Sequence, residues 1–380
     1  MLKLKTVLAC INKTQADLAR AVDLSPAAIA QLINHSQWPK SLSRLDLEED
    51  IKIFLEECGA TEDAVSTAFE TEELQQTEPQ NTLSQEDEAM LLRKQSLTPD
   101  ARRAFGLVRN PFDEVRSAQE VFMTPDSRYV REALRQTAKF GGFIAVVGES
   151  GAGKSTLRRD LIEWINRESQ PVIVIEPYVL GMEDNDIKGK TLKAGHIAEA
   201  VMACIAPGVA AKRSPEARFR QIHDALRESH RAGNRHVLII EEAHGLPLPT
   251  LKHLKRFFEL EDGFQKLLGI VLVGQTELSQ KLDERNPTVR EVVQRCEIVT
   301  LNPLGTELEN YLRHRFGLID KPLEAVMDLN AVEALRAKLT GGGNYSLLYP
   351  LAIHNVLSAA MNEAASIGLP VLSAELITGV

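Results

Sequence analysis

Short apolar runs bounded by polar or glycine-rich stretches recur through the middle of the chain: Phe143–Val147, Val172–Ile175, His236–Ile240, Leu268–Val273 and Glu297–Leu301. Continuous apolar runs of this length are the pattern of strands buried on both faces. Helical spacing of apolar residues fills the intervals, so strands and helices alternate, which predicts an α/β domain built on a parallel sheet. After Pro303 the pattern is helical only, with helices expected over Thr306–Phe316, Ala331–Leu339 and Leu347–Ala365 and a last turn at Ser373–Thr378. The beginning of the chain is also helical. Leu18, Ala19 and Val22 share one face, Asp23-Leu24 interrupts, and Ser25-Pro26 supplies an N-cap and a first-turn proline for a second helix that buries Ile29, Leu32 and Ile33. From Glu70 to about Asp100 the chain is polar, acidic and poor in aromatics, the composition of a flexible linker, with one short helix expected from Ser84 to Arg93. The predicted organisation is a small all-α domain over residues 1–69, an acidic linker over 70–100, an α/β core over 101–303 and a helical lid over 304–380, with no internal repeat.

Composition changes this picture little. The 380 residues are 44% hydrophobic and 26% charged, ordinary for a soluble globular protein of two or three domains. No apolar run has membrane-spanning length and the first residues lack a signal-peptide core, so the expectation is a cytoplasmic protein without a membrane partner. Cys10, Cys58, Cys204 and Cys296 are scattered without metal-ligand spacing, as reduced thiols in a cytosol would be. Charge is more informative. Residues 46–90 hold fifteen acidic residues and a single basic one, Lys52, a net −14 against −9 for the whole chain, which leaves +5 elsewhere. A basic remainder of this kind can meet nucleic acid.

The chemistry centres on Gly148-Glu149-Ser150-Gly151-Ala152-Gly153-Lys154-Ser155-Thr156, which fits G-x-x-x-x-G-K-S/T between an apolar strand and a helix. Glycines let successive backbone N–H groups and the helix N-terminus face an anion. Lys154 then reaches the β- and γ-phosphates and the Ser155 hydroxyl ligates Mg²⁺, so the cofactors expected are ATP and Mg²⁺. A second signature follows the apolar strand at His236–Ile240: Glu241-Glu242-Ala243-His244. Glu241, where Asp is usual, is expected in the Mg²⁺ shell, and Glu242 as the base that polarises the attacking water. His244 is expected to order the loop. Gln275, ending the next strand, either helps to orient that water or caps the strand.

Two resemblances extend this reading. The first two helices resemble the helix-turn-helix of small repressor-type DNA-binding domains, in which the second helix lies in the major groove. Ser25, Ala27, Ala28, Gln31 and Asn34 are the exposed candidates there, with Lys13, Lys40 and Arg44 near phosphates; the alternative is a helical bundle that docks on the remainder. The nucleotide motifs with a helical lid resemble the AAA+ ATPases. Phe105-Gly106-Leu107 and Asn110-Pro111-Phe112, with Glu241–His244 and Val273–Leu278, are similar to the branch containing ExeA-type ATPases and the transposition ATPases TnsC, TniB and the phage Mu B protein.

That resemblance implies self-assembly into a filament or ring around double-stranded DNA with ATP between neighbours, and recruitment of a transposase. It implies a trans-acting arginine, for which Arg295 is the candidate and Arg290 the runner-up. It also implies a DNA-contacting loop after the second strand, carrying Lys188, Lys190, Thr191 and Lys193, which would touch phosphates without reading bases. The lid arginine common in the family is missing from Gly343-Asn344-Tyr345-Ser346. Two alternatives stay open: a secretion-associated ATPase, and a transcriptional regulator whose nucleotide site tunes its affinity.

Overall fold

The computed structural model describes residues 93–177, 192–210, 212–340 and 346–380, together with residues 4, 7–8, 13, 15–22, 24, 29, 32, 44–58, 60, 65 and 68 of the N-terminal region. The chain divides into two compact units, Met1–Thr82 and Leu83–Val380.

In the first unit, helices α1 (Gln15–Ala21) and α2 (Arg44–Glu57) are joined by one apolar cluster. Leu18, Ile29, Leu32, Leu47, Ile51 and Leu55 are all buried in it, so the apolar face read from the sequence at residues 18, 29 and 32 is a core face. Ser25, Ala27, Ala28, Gln31 and Asn34, the candidates for base contact, lie outside the described residues.

The second unit opens with residues 95–98 lying along the lid, followed by α3 (Pro99–Ala104) and α4 (Pro125–Phe140). The core then runs β1 (Phe143–Val147), α5 (Lys154–Arg167), β2 (Val172–Ile175), α6 (Ala194–Ile205), α7 (Pro215–Arg231), β3 (Arg235–Ile240), α8 (Leu248–Phe258), a small hairpin of β4 (Glu261–Asp262) and β5 (Gln265–Lys266), β6 (Gly269–Gly274), α9 (Thr276–Lys281), α10 (Arg290–Val293) and β7 (Glu297–Thr300). The lid is α11 (Leu308–Gly317), α12 (Leu329–Leu339), α13 (Pro350–Ser366) and α14 (Ala374–Gly379).

Five strands form one parallel sheet in the order β2-β3-β6-β1-β7. Side chains alternate between its faces. Phe143, Ala145 and Val147 of β1, with Leu238, Ile240, Ile270 and Leu272, pack against α6, α7 and α8, while Ile144, Val146, Val237, Ile239, Val271 and Val273 pack against α4 and α5. Both faces are covered, which is why these strands read as unbroken apolar runs. The important consequence is positional: β6 lies between β1 and β3, so three carboxyl ends adjoin one another at one edge of the sheet.

Residues 95–100, expected to belong to the linker, instead pack on the lid. Leu97 and Ala101 are buried in the lid's apolar cluster, and the backbone N–H groups of Gln95 and Thr98 donate to the side-chain oxygens of Asn355 and Asn362 on α13. Asn362 also donates to Ser96 O at 2.9 Å. The short helix expected from Ser84 lies, apart from Arg93, outside the described residues.

Candidate active site

β1 delivers the chain into the phosphate loop, and the loop is tied to the neighbouring strand by Gly148 N–H donating to Gly274 O at 3.3 Å. Gly151 and Gly153 adopt φ of +76° and +96°, left-handed values that glycine takes without Cβ strain. Gly151 has a second constraint, because a Cβ there would lie 2.1 Å from Leu351 Cβ on the lid. Lys154 opens α5, and its Nζ donates to Gly148 O (2.7 Å) and Glu149 O (2.8 Å). The ammonium therefore folds back over the loop, where phosphate oxygens would compete for it. Burial pulls its pKa below the usual lysine range, opposed by the carboxylates of Glu242, Glu149 and Glu277.

One residue on, Ser155 Oγ donates to Glu241 Oε1 at 3.2 Å. The phosphate-loop hydroxyl and the first carboxylate after β3 thus meet as hard oxygen donors, the donor set that suits Mg²⁺. Among the described residues no cluster of three or more His, Cys, Asp or Glu could hold a metal alone. The pair accordingly fits an ion that arrives with phosphate ligands rather than one held in a protein cage. Glu241 Oε1 also lies 3.3 Å from Arg158 Nε, and Arg158 Nη1 donates to Glu176 Oε1 at 2.5 Å.

Glu242 adopts φ +50°, one of three non-glycine residues at positive φ among the described residues. That turn breaks the line of β3 and leaves the carboxylate exposed over the cavity described next. Its Oε2 lies 3.4 Å from His244 Nδ1, which also accepts the Gln275 N–H at 3.4 Å. His244 therefore sits between the acidic pair and the end of β6. Thr276 Oγ1 donates to Glu149 Oε1 at 2.8 Å and so joins the end of β6 to the phosphate loop.

A cavity of about 500 Å³ runs from Gly151–Thr156, Glu242 and Gln275 to an aromatic end at Phe112, Phe122, Tyr311 and His354. The lid fixes that end. Buried Arg315 donates to Pro111 O (2.8 Å) and Asp113 O (2.6 Å), holding the Asn110-Pro111-Phe112 turn against α11. Tyr311 Oη lies 2.6 Å from His354 Nε2, and the Phe112 ring lies 4.9 Å from that imidazole. Burial lowers the His354 pKa to about 3, so the ring is neutral at physiological pH.

The fold thus brings Lys154, Ser155, Glu241, Glu242 and Gln275 together. Arg295 is elsewhere. It is exposed, pairs with Glu259 at 3.2 Å, donates to Glu291 O, and does not line the cavity of its own chain. Lys193 is exposed at the start of α6, whereas Lys188, Lys190 and Thr191 lie outside the described residues. Arg218 and Arg220 pair with Glu199 and Glu216. Arg158, Thr276, Tyr311, Arg315 and His354 were not singled out from the sequence. Only Arg158, one helical turn beyond Ser155, carried a signal that could have found it.

Residues 138–282 match a family described as "AAA domain", spanning the phosphate loop, the acidic pair and Gln275. The core therefore has the mixed α/β P-loop fold of AAA+ nucleotide-binding domains, on a parallel sheet. The chain is 26% identical over 245 residues to general secretion pathway protein A of Aeromonas hydrophila, covering 63% of this chain but only 41% of that protein. Among solved structures it is similar to the Aeropyrum pernix ORC2 protein (TM-score 0.48, 16% identity, 71% of this chain and 70% of that one). It is also similar to the Thermotoga maritima RuvB Holliday junction branch migration motor (TM-score 0.40, 15% identity, 70% and 72%). Among the described residues no helix is long and apolar enough to cross a membrane.

Proposed function

We propose that this chain is a Mg²⁺-dependent ATPase whose ATP-bound form assembles on double-stranded DNA and there recruits or activates a transposase. The observation that carries the nucleotide chemistry is the meeting of the phosphate loop, Glu242 and Gln275 around one cavity, with the Ser155–Glu241 pair beside it. In this reading backbone N–H groups of residues 148–156 and Lys154 hold the phosphates. Ser155 and Glu241 would hold Mg²⁺, which when bound would neutralise phosphate charge. Glu242 takes a proton from the attacking water and the Gln275 amide orients it. The aromatic end of the cavity takes the nucleobase.

Assembly and DNA binding rest on the resemblance to transposition ATPases and on the +5 charge outside residues 46–90. In this reading Arg295, which is exposed and does not line the cavity of its own chain, serves a neighbouring subunit. Lys188, Lys190, Thr191 and Lys193 contact the duplex backbone, and Gln31 belongs to a separate helix-turn-helix contact. The test is ATP turnover of the full chain with and without duplex DNA, paired with electron microscopy in a slowly hydrolysed ATP analogue. DNA-stimulated turnover with DNA-bound polymers supports the reading; a chain that stays unassembled on abundant duplex refutes it.

The similarity to general secretion pathway protein A supports a second reading, an ATPase serving secretion. That reading expects turnover indifferent to DNA and recovery of the protein with envelope fractions.

A further inference from the structure

Glu241 Oε1 accepts a hydrogen bond from Ser155 Oγ at 3.2 Å and forms an ion pair with Arg158, whose Nε lies 3.3 Å away. Arg158 stands three residues beyond Ser155 on α5, so both side chains leave the same helix face. Its guanidinium also reaches Glu176 at 2.5 Å, closer than it comes to Glu241. Glu176 directly follows β2 and Glu241 directly follows β3, and these strands are adjacent and parallel. One cation is therefore held between two carboxylates at neighbouring strand ends. Only Glu241 belongs to the pair that would take Mg²⁺. All three side chains keep partial solvent access, at 23% for Arg158, 40% for Glu176 and 34% for Glu241.

We propose that Arg158 is a positioning residue that competes with the divalent cation for Glu241, and that Glu176 is the counterweight that draws Arg158 away from it. The inference rests on the nucleotide–metal site proposed above. Its content is a sign. A cation beside a metal-binding carboxylate opposes metal binding by Coulomb repulsion and by occupying the same oxygen. Removing the guanidinium raises metal affinity. Removing the Glu176 charge leaves Arg158 with Glu241 alone and lowers it. If both residues served only to brace strand ends, the two deletions would act in the same direction.

The test uses the full chain saturated with a non-hydrolysed ATP analogue, with Mn²⁺ as the probe and free Mn²⁺ counted by electron paramagnetic resonance. Relative to the unaltered chain, Arg158→Gln should tighten Mn²⁺ binding about fivefold and Glu176→Gln should weaken it about fivefold, the scale of one unit charge partly screened by water. The double variant should bind Mn²⁺ about as tightly as Arg158→Gln, because without the guanidinium the Glu176 charge has nothing to draw away from Glu241, so the two changes do not add. Arg158→Lys, which keeps the charge and loses the fork, should stay near the unaltered value. Shifts of the same sign in the two single variants, or none in either, overturn the assignment. If the unaltered chain binds the analogue but takes up no Mn²⁺, the metal site itself falls, a result distinct from failure of the Arg158 role.

Discussion

Alanine at position 151 tests how closely the phosphate loop and the lid are seated together. The substitution meets two separate penalties. Gly151 has φ +76°, and a left-handed conformation costs an alanine about 1–2 kcal/mol. The new Cβ would also lie 2.1 Å from Leu351 Cβ, with Cδ2 at 3.0 Å and Cγ at 3.1 Å. Because the closest atom is itself a Cβ, no rotamer change of Leu351 relieves the contact, and either the loop or the first turn of α13 must shift. Overpacking of this kind adds about 1–3 kcal/mol. Gly153 is the internal control, since its φ is +96° but nothing lies within 4 Å of a methyl group placed on its Cα. Gly153→Ala should therefore lose about 1–2 kcal/mol, and Gly151→Ala about 2–5 kcal/mol. Urea unfolding of the full chain, followed by the fluorescence of Trp164 in the core, measures both at constant m. Leu351→Ala keeps the offending Cβ and should not rescue Gly151→Ala, whereas Leu351→Gly should recover part of the loss. Equal losses for the two glycine variants would refute the tight seating of loop on lid.

Further outcomes follow from the same geometry. Glu242→Gln should still bind ATP while single-turnover hydrolysis falls by about 10²–10⁴-fold; undiminished turnover would remove Glu242 from the base role. Lys154→Ala should abolish ATP-dependent assembly, read by sedimentation with duplex DNA. Thr276→Val breaks the 2.8 Å bond to Glu149 and should cost about 0.5–1.5 kcal/mol of stability in urea unfolding, with Thr276→Ser near the unaltered chain. Acid should destabilise the second unit through two buried imidazoles, since burial lowers His236 to about 4 and His354 to about 3, below the ordinary value of 6.5. The unfolded chain binds protons between pH 6.5 and those values that the folded chain refuses, so stability is full above pH 6.5 and falls as pH drops through that window. His236→Asn should flatten the fall in a pH series of thermal unfolding.

The strands were legible because a doubly covered sheet leaves no polar face to interrupt its apolar runs. β1 and β2 span the residues the pattern predicts, and β3 and β6 each begin one residue away. Boundaries set by a backbone constraint were less visible. The helix expected from Leu347 begins at Pro350, where proline's fixed φ and missing N–H suit a first turn. Residues 95–98 look like linker by composition, and only side chains some 260 positions away, Asn355 and Asn362, make them part of the lid. Local polarity cannot report a partner that distant.

The candidate site divides in the same way. Residues on the phosphate loop and at the ends of β3 and β6 were legible because each sits where an apolar run stops at a glycine or a charge. The contacts that join them were not, because each crosses between elements: Ser155 to Glu241, Thr276 to Glu149, Arg315 to Pro111. Strand order accounts for this. With β6 placed between β1 and β3, Gln275 lies between a phosphate loop 127 residues before Thr276 and an acidic pair some thirty residues before it. Glu242 adds a conformational term. An unstrained residue after β3 would continue the strand and alternate from one face to the other, whereas φ +50° turns Glu242 out of that line to the cavity. Left-handed backbone at a non-glycine residue is paid for by surrounding structure, and such residues concentrate at functional sites. In the proposed reading the strained Glu242 is the carboxylate that serves hydrolysis, and Glu241, in line with β3 beside Ser155 and Arg158, is the one left to the metal.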